Sequence, residues 1–280
     1  MWWPLSPPLL ASAAGEPLVR RIAALALPAL GVLAAEPLYL LFDTAVIGRL
    51  GAVSLAGLAV GGLVVTLVSS QLTFLSYGTT ARSARFHGAG DRAAAVREGV
   101  QATWLAVGLG VLVVVAVHLA AVPMVSAIGG SGPIADAAIP WLRIAIFAAP
   151  AILISLAGNG WMRGIQDTVR PLRYVLIGFG ISAVLCPPLV YGWLGLPRWE
   201  LAGSAVANLV GQWIAAALFC RALISERVSL RPDPPVLRAQ VVMGRDLVVR
   251  TMAFQACFVS AAAVAARFGA AALAAHQVVL

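Results

Sequence analysis

Seven apolar segments constrain the fold of this chain most, because about 20 apolar residues in a helix span the hydrocarbon core of a bilayer. They cover residues 22–47, 55–77, 93–117, 134–157, 172–196, 201–223 and 247–266, and an eighth begins at residue 270. Of the 280 residues, 61% are hydrophobic and only 11% are charged, whereas a soluble domain has about 25% charged residues. The sequence therefore predicts an all-α polytopic membrane protein embedded in a lipid bilayer.

The basic residues are concentrated in every second connection between these segments. All 19 are arginines, and only Arg49, Arg143, Arg198 and Arg267 fall on the other side of the predicted membrane. Because cytoplasmic loops carry the excess of positive charge, the N-terminus is expected in the cytoplasm. The net charge of +8 then follows from topology rather than from nucleic-acid binding. An Ala-, Gly- and Arg-rich chain without lysine is typical of a GC-rich bacterium, so we expect it in the inner (cytoplasmic) membrane.

Residues that would carry enzyme chemistry are sparse and scattered. Cys186, Cys220 and Cys257 lie in apolar segments without a Cys-x-x-Cys spacing, and the three histidines lack helical ligand spacing. No phosphate-binding loop or catalytic triad pattern occurs. We therefore expect neither an enzyme nor a metal or organic cofactor.

Asp43 is the residue that most strongly indicates function, because it lies near the end of the first apolar segment. An ionised carboxylate in the hydrocarbon region costs about 3 kcal/mol on insertion scales, so such residues usually face a wet cavity. Glu36 and Tyr39 precede it by seven and four residues, which places all three on roughly one helical face. We predict that Asp43 and Glu36 couple transport to a cation or proton. The alternatives are an inert interfacial role for Asp43 and a structural role for Glu36.

Other polar residues within the apolar segments are candidates for lining a cavity, although each could instead form an interhelical hydrogen bond. They are Tyr39, Gln71, Asn159, Ser182, Cys186, Asn208, Gln212 and Gln255. Six tryptophans near predicted helix ends are expected to anchor the chain at the membrane interfaces. They are Trp104, Trp141, Trp161, Trp193, Trp199 and Trp213.

The sequence also indicates how the chain is divided. The predicted parts are a cytoplasmic tail (1–20), a six-helix unit (21–224), a cytoplasmic linker (225–244) and the beginning of a second unit (245–280). The linker contains a Pro-Asp-Pro-Pro run and three arginines, which favours an irregular connection. Residues 49–56 (RLGAVSLA) resemble residues 267–274 (RFGAAALA). A parallel repeat of this kind is common in transporters, where the substrate path lies between the halves.

Three phrases in different segments resemble the multidrug and toxin extrusion (MATE) transporters, specifically their bacterial DinF-like branch. The phrases are AEPLYLLFDTA at 35–45, YGTTAR at 77–82 and GWMRGIQDT at 160–168. The resemblance implies twelve helices in two six-helix lobes around a central cavity, of which this chain would supply about seven. It also implies a monomer that exports small organic, often cationic compounds in exchange for protons or sodium ions. Asp43 matches the aspartate of the first helix that takes part in cation coupling.

One phrase departs from the family pattern. Relatives of this branch commonly carry Asn-x-x-Leu-Asp-Pro in the fifth helix, where this chain has Ser182-Ala183-Val184-Leu185-Cys186-Pro187. Cys186 thus replaces an acid and Ser182 replaces an amide. A thiol with an ordinary pKa of about 8.5 is a poor cation ligand at neutral pH, so the coupling scheme is expected to be altered or lost.

Two other functions remain open from sequence. A flippase for lipid-linked oligosaccharides would share the helix count but would need arginines facing its cleft. A half-transporter that does not transport is the second alternative. We expect the chain to be a fragment of a longer exporter or a degenerate copy of one.

Overall fold

The fold consists of helices that run back and forth in one bundle. The computed structural model describes residues 18–195 and 197–267. Nine α-helices occur in this described part: α1 (Leu18–Gly48), α2 (Ala52–Leu72), α3 (Phe74–Gly88), α4 (Arg92–Ala127), α5 (Pro133–Ala145), α6 (Ala149–Gly164), α7 (Val169–Tyr191), α8 (Glu200–Ser225) and α9 (Pro234–Arg267). Two short 3₁₀ helices, Ile146–Ala148 and Trp193–Gly195, accompany them.

Six helical stretches in the described residues are long and apolar enough to cross a membrane. They are Ala26–Gly48, Ala52–Gly88, Arg92–Ala127, Pro133–Gly164, Val169–Tyr191 and Glu200–Ser225. The predicted all-α polytopic fold is therefore confirmed. The seventh predicted segment, 247–266, lies within α9, and its crossing stays a prediction. The tail at 1–17, the eighth segment and nearly all of the second repeat phrase lie outside the described residues.

Proline divides the fourth crossing into two helices. Pro150 has no N–H group, so the carbonyl of Ile146 lacks the donor that would continue an α-helix. The backbone N–H of Ala149 bonds to that carbonyl instead, which produces the short 3₁₀ helix between α5 and α6. This break separates the part of the crossing that holds Trp141 from the part that holds Asn159.

The predicted irregular linker at 225–244 is helical over its second half. α9 begins at Pro234, and the Asp233 carboxylate accepts from the backbone N–H of Val236 at 3.5 Å. An aspartate before a proline is a favourable helix start, because proline at the first position has no N–H to satisfy and its φ angle suits the helix. The Pro-rich run therefore starts a helix where we expected an irregular connection.

Small residues allow two helices of the bundle to approach closely. α7 and α8 pack along each other, and a Cβ atom added at Gly178 would lie 2.8 Å from the backbone oxygen of Gly211. Glycine pairs of this kind let membrane helices approach until their backbones touch. The contact fixes α7, which carries Ser182 and Cys186, against α8, which carries Ser204 and Asn208.

Candidate functional site

A cavity of about 570 Å³ opens between α1, α2, α5, α6, α7 and α8. Two carboxylates, Glu36 and Asp43, border it, and none of its lining residues is an arginine. Its uncharged polar lining consists of Tyr39, Thr44, Thr66, Ser69, Ser70, Thr73, Ser155, Asn159, Asn208 and Gln212. The cavity is therefore acidic and large enough for a small organic molecule.

Asp43 lies at the edge of this cavity and is only 4% exposed. The Cys186 thiol on α7 donates a hydrogen bond of 3.3 Å to its carboxylate, and the Ser204 hydroxyl on α8 lies beside it. Among the described residues, no arginine or histidine forms an ion pair with Asp43. The two side chains that the described part of the chain places in polar contact with Asp43 are a thiol and a hydroxyl, both uncharged.

The hydroxyls of Tyr39 and Ser182 continue the cluster of polar side chains formed by Asp43, Cys186 and Ser204. The Tyr39 ring stacks on the Phe179 ring with centroids 5.2 Å apart, and Tyr39 is only 5% exposed. The Tyr39 and Ser182 hydroxyl oxygens are buried and have no hydrogen-bond partner within the described residues. Buried polar atoms are normally paired with protein or ordered water. Two unpaired hydroxyls beside a buried carboxylate therefore form a place where water or an ion can bind.

Glu36 has a different environment from Asp43, although both lie on α1. It lines the same cavity but is exposed, and it makes no hydrogen bond or ion pair within the described part of the chain. Its spacing from Asp43 corresponds to about 10 Å along a helix. The two carboxylates therefore border one cavity at two levels, one buried and one open to it.

The amide side chains predicted to line a cavity divide into two groups. Asn159, Asn208 and Gln212 do line it, and the Asn159 side-chain oxygen is buried without a partner in the described residues. Gln71 and Gln255 do not, because the Gln71 amide donates to the Gln255 oxygen at 2.8 Å and joins α2 to α9. Ser182 and Cys186 are also absent from the lining and lie behind Asp43 and Tyr39.

Sequence reasoning missed Trp141 and Ser204. We expected Trp141 to be an interfacial anchor, but it is 6% exposed, lines the cavity and donates from its indole nitrogen to the Ser204 hydroxyl at 3.1 Å. Trp161 is likewise fully buried and not an anchor. A signal existed for Trp141, since it follows Pro140 in the interior of a crossing. Ser204 resembles any small residue in a membrane helix, and nothing in its pattern distinguishes it.

No group of three or more His, Cys, Asp or Glu side chains in the described residues could hold a metal ion. The groups at the site are the carboxylate of Asp43 itself, the Cys186 thiol and the Ser204 hydroxyl. This set suits the binding of a proton or a single monovalent cation.

Comparison with known proteins agrees with this architecture. The family model described as MatE matches residues 28–187. The chain belongs to the MATE family. Members of this family are transporters rather than enzymes, and the resemblance stated from the sequence phrases is confirmed.

Relatives of known sequence and structure extend the match over most of the chain. It is 30% identical over 270 residues to DNA damage-inducible protein F of Escherichia coli, covering 91% of this chain and 57% of that protein. It is 31% identical over 273 residues to the chloroplastic protein DETOXIFICATION 44 of Arabidopsis thaliana, covering 92% and 52%. A crystal structure of MATE in the bent conformation superposes with a TM-score of 0.78 at 24% identity, covering 91% and 58%. The chain thus spans about half the length of the curated relatives it matches.

Proposed function

We propose that this chain is the ion-coupled unit of a secondary active exporter that moves small organic cations across the membrane by antiport. The observation that carries the proposal is Asp43, a buried carboxylate with no cationic partner in the described residues, at the edge of a membrane cavity. A carboxylate held there in its ionised form costs about 3 kcal/mol. Neutralisation by a bound ion removes that cost, so loading and release of the ion bias the chain between two conformations.

The neighbours of Asp43 favour a proton over sodium as the coupling ion. Sodium is a hard cation that needs several oxygen ligands, whereas Cys186 places a soft, protonated sulfur within 3.3 Å of the carboxylate. A proton needs only one carboxylate oxygen and a route to water, which the cavity supplies. Replacement of the usual fifth-helix acid by Cys186 thus changes the coupling scheme to a single carboxylate rather than abolishing it.

The cavity supports a cationic substrate rather than an anionic one. Glu36 is exposed to the cavity and unpaired within the described residues, so it is available to attract a positive group. Tyr39 and Phe179 supply aromatic rings close by, which attract cations through their faces. A flippase for anionic headgroups would need basic residues in the lining, and the lining contains none.

The chain is proposed to lie in the inner membrane of a bacterium with its N-terminus in the cytoplasm, because the arginine-rich connections face the cytoplasm under the positive-inside rule. The complete transporter is proposed to act as a monomer. In this orientation α1 carries Asp43 close to the outer surface.

The experiment that tests the proposal is ethidium efflux from an efflux-deficient bacterial host that expresses the gene product containing this chain. Asp43→Asn is expected to reduce pH-driven efflux at least tenfold, because the amide cannot release a proton. Asp136→Asn is the matched control, since Asp136 is exposed in the first turn of α5 and is not part of the cavity lining. Both variants are quantified in membranes. Efflux by Asp43→Asn at the level of the control would show that this carboxylate is structural.

A further inference from the structure

Trp141 connects the cavity to the carboxylate that it borders. Trp141 forms part of the cavity lining, and its indole nitrogen donates to Ser204, which is not among the lining residues. Both residues are buried, with 6% and 1% exposure. A buried indole N–H usually finds one partner, and here the partner is the hydroxyl next to Asp43.

The Ser204 hydroxyl has one proton to donate and two lone pairs to accept. One lone pair receives the Trp141 N–H. Several serines and threonines in this bundle, such as Thr79 and Thr103, donate to the carbonyl four residues earlier in their own helix. Ser204 makes no such bond within the described residues, so its proton is left for the adjacent Asp43. Accepting one hydrogen bond also strengthens the one that a hydroxyl donates.

The position of Trp141 depends on α2, which forms another wall of the cavity. A Cβ atom added at Gly61 would lie 2.6 Å from the Trp141 ring, so the ring rests directly on the backbone of α2. Leu58 and Gly62, on the same helix, line the cavity. The indole is therefore held on one side by α2 and on the other by its bond to Ser204.

We propose that Trp141 is a positioning residue that directs the Ser204 hydroxyl toward Asp43 and thereby sets the pH at which Asp43 exchanges its proton. This inference rests on the proposed function of Asp43 as the coupling carboxylate. Trp141 itself never touches the proton. It acts through Ser204.

Few titratable side chains lie around Asp43, and each of them belongs to an identified helix. Tyr39 and Glu36 lie on α1, and Cys186 faces Asp43 from α7. α2 and α8 present only uncharged hydroxyls and amides to the cavity near it. If a change at Trp141 shifts the pH dependence of transport, we therefore assign the shift to Asp43. The same change made in an Asp43→Asn background should then produce no shift.

The test measures the midpoint of the pH profile of ethidium efflux in everted vesicles, because the charge of ethidium does not change with pH. Ser204→Ala is expected to move the midpoint about one pH unit higher, since a hydrogen bond to an ionised group favours the ionised form and its loss favours the protonated form. Trp141→Phe keeps an aromatic ring but loses the N–H, and we expect about half of that shift. Ser204→Thr, which keeps the hydroxyl, should retain the wild-type midpoint.

The double variant Trp141→Phe/Ser204→Ala decides whether the two residues act in series. It should shift the midpoint no further than Ser204→Ala alone, because the indole acts only through the hydroxyl. Additive shifts, or no shift in either single variant, would overturn the inference. Trp213→Phe is the control: its indole bonds to the Phe147 carbonyl at 3.2 Å and does not line the cavity, so it should leave the midpoint unchanged.

Two outcomes separate this inference from the proposed function. If wild-type efflux has no pH dependence that Asp43→Asn removes, the proposed function itself fails. If that dependence exists and Ser204→Ala leaves its midpoint unchanged, only the role of Trp141 and Ser204 fails. Thermal unfolding of each purified variant identifies those that lose efflux by misfolding, and the midpoint of Trp141→Phe compared with that of Ser204→Ala then decides the test.

Discussion

Asp43 and Glu98 are both buried carboxylates in membrane-crossing helices, and their surroundings differ completely. Glu98, which is 3% exposed, accepts two hydrogen bonds of 2.7 Å from the Arg82 guanidinium and one of 2.9 Å from Gln240. Asp43, which is 4% exposed, accepts a hydrogen bond from a thiol at 3.3 Å and has the uncharged Ser204 hydroxyl beside it. Glu98 lies at the arginine-rich end of the bundle and is fully paired. Asp43 borders a cavity and lacks a cation. Burial of an acid therefore does not distinguish structure from function, whereas the partners of the acid do.

Glu98→Ala should have the largest effect on stability, because it leaves Arg82, whose side chain is 20% exposed, without its partner. We expect a loss of about 3 kcal/mol, at the low end of values for breaking a buried ion pair. The measurement is the free energy of unfolding in detergent, compared with Glu98→Gln, which retains hydrogen-bonding groups. A loss below about 1 kcal/mol would mean that this pair contributes little to the fold.

Cys186→Asp should turn the thiol site into one with two carboxylates. Adjacent carboxylates supply four oxygen atoms, so we expect the affinity for sodium to rise about tenfold, which is roughly 1.4 kcal/mol. Binding of radioactive sodium to the purified protein measures this change. Cys186→Ser adds only one hydroxyl and serves as the control. Equal sodium affinity in both variants would contradict our view that Cys186 excludes sodium.

Asp43→Asn should hardly change stability, in contrast to Glu98→Ala. The amide is the same size as the carboxyl group, and no cationic partner among the described residues is left unpaired by the change, so we expect a difference below about 1 kcal/mol, in either direction. The measurement is again unfolding in detergent. Destabilisation as large as that of Glu98→Ala would place Asp43 among the structural acids and end the comparison.

Arg92→Ala should give the smallest effect. Its guanidinium pairs with Glu226 at 2.8 Å, but the arginine side chain is 51% exposed. Exposed ion pairs contribute about 0.5 kcal/mol or less. Salt dependence of the unfolding midpoint checks this prediction, because the contribution of an exposed pair decreases as salt increases. A larger loss than in Glu98→Ala would show that exposure is a poor guide in this bundle.

The sequence predicts the bundle and much of its cavity because both follow from patterns along single helices. The apolar segments predict the crossings, and the spacing of Glu36, Tyr39 and Asp43 places them on the cavity side of α1. Polar residues in apolar segments also indicate Asn159, Asn208 and Gln212.

The contacts that sequence does not predict join residues far apart in the chain. Gln71 and Gln255 pair across 184 positions, and Trp141 bonds to Ser204 across 63. Each of these side chains satisfies the same local pattern as a residue that lines the cavity or anchors an interface. Helix packing decides which partner it meets, and no single helix carries that information. The helical start at Pro234 was missed for a different reason, because a proline run signals both loops and first turns.

The helical connection after the sixth crossing has a mechanical consequence. Gln240 bonds to both the backbone and the carboxylate of Glu98, and Gln101 holds the backbone at Arg231 and Asp233. The N-terminal end of α9 is therefore clamped to α4, while the helix continues without interruption to Arg267. From Gln240 to Arg267 a straight helix measures about 40 Å. Because Gln255 on α9 also bonds to Gln71 on α2, a tilt of α9 by about 10° at the clamp, which moves its far end by about 7 Å, must either carry α2 with it or break that bond.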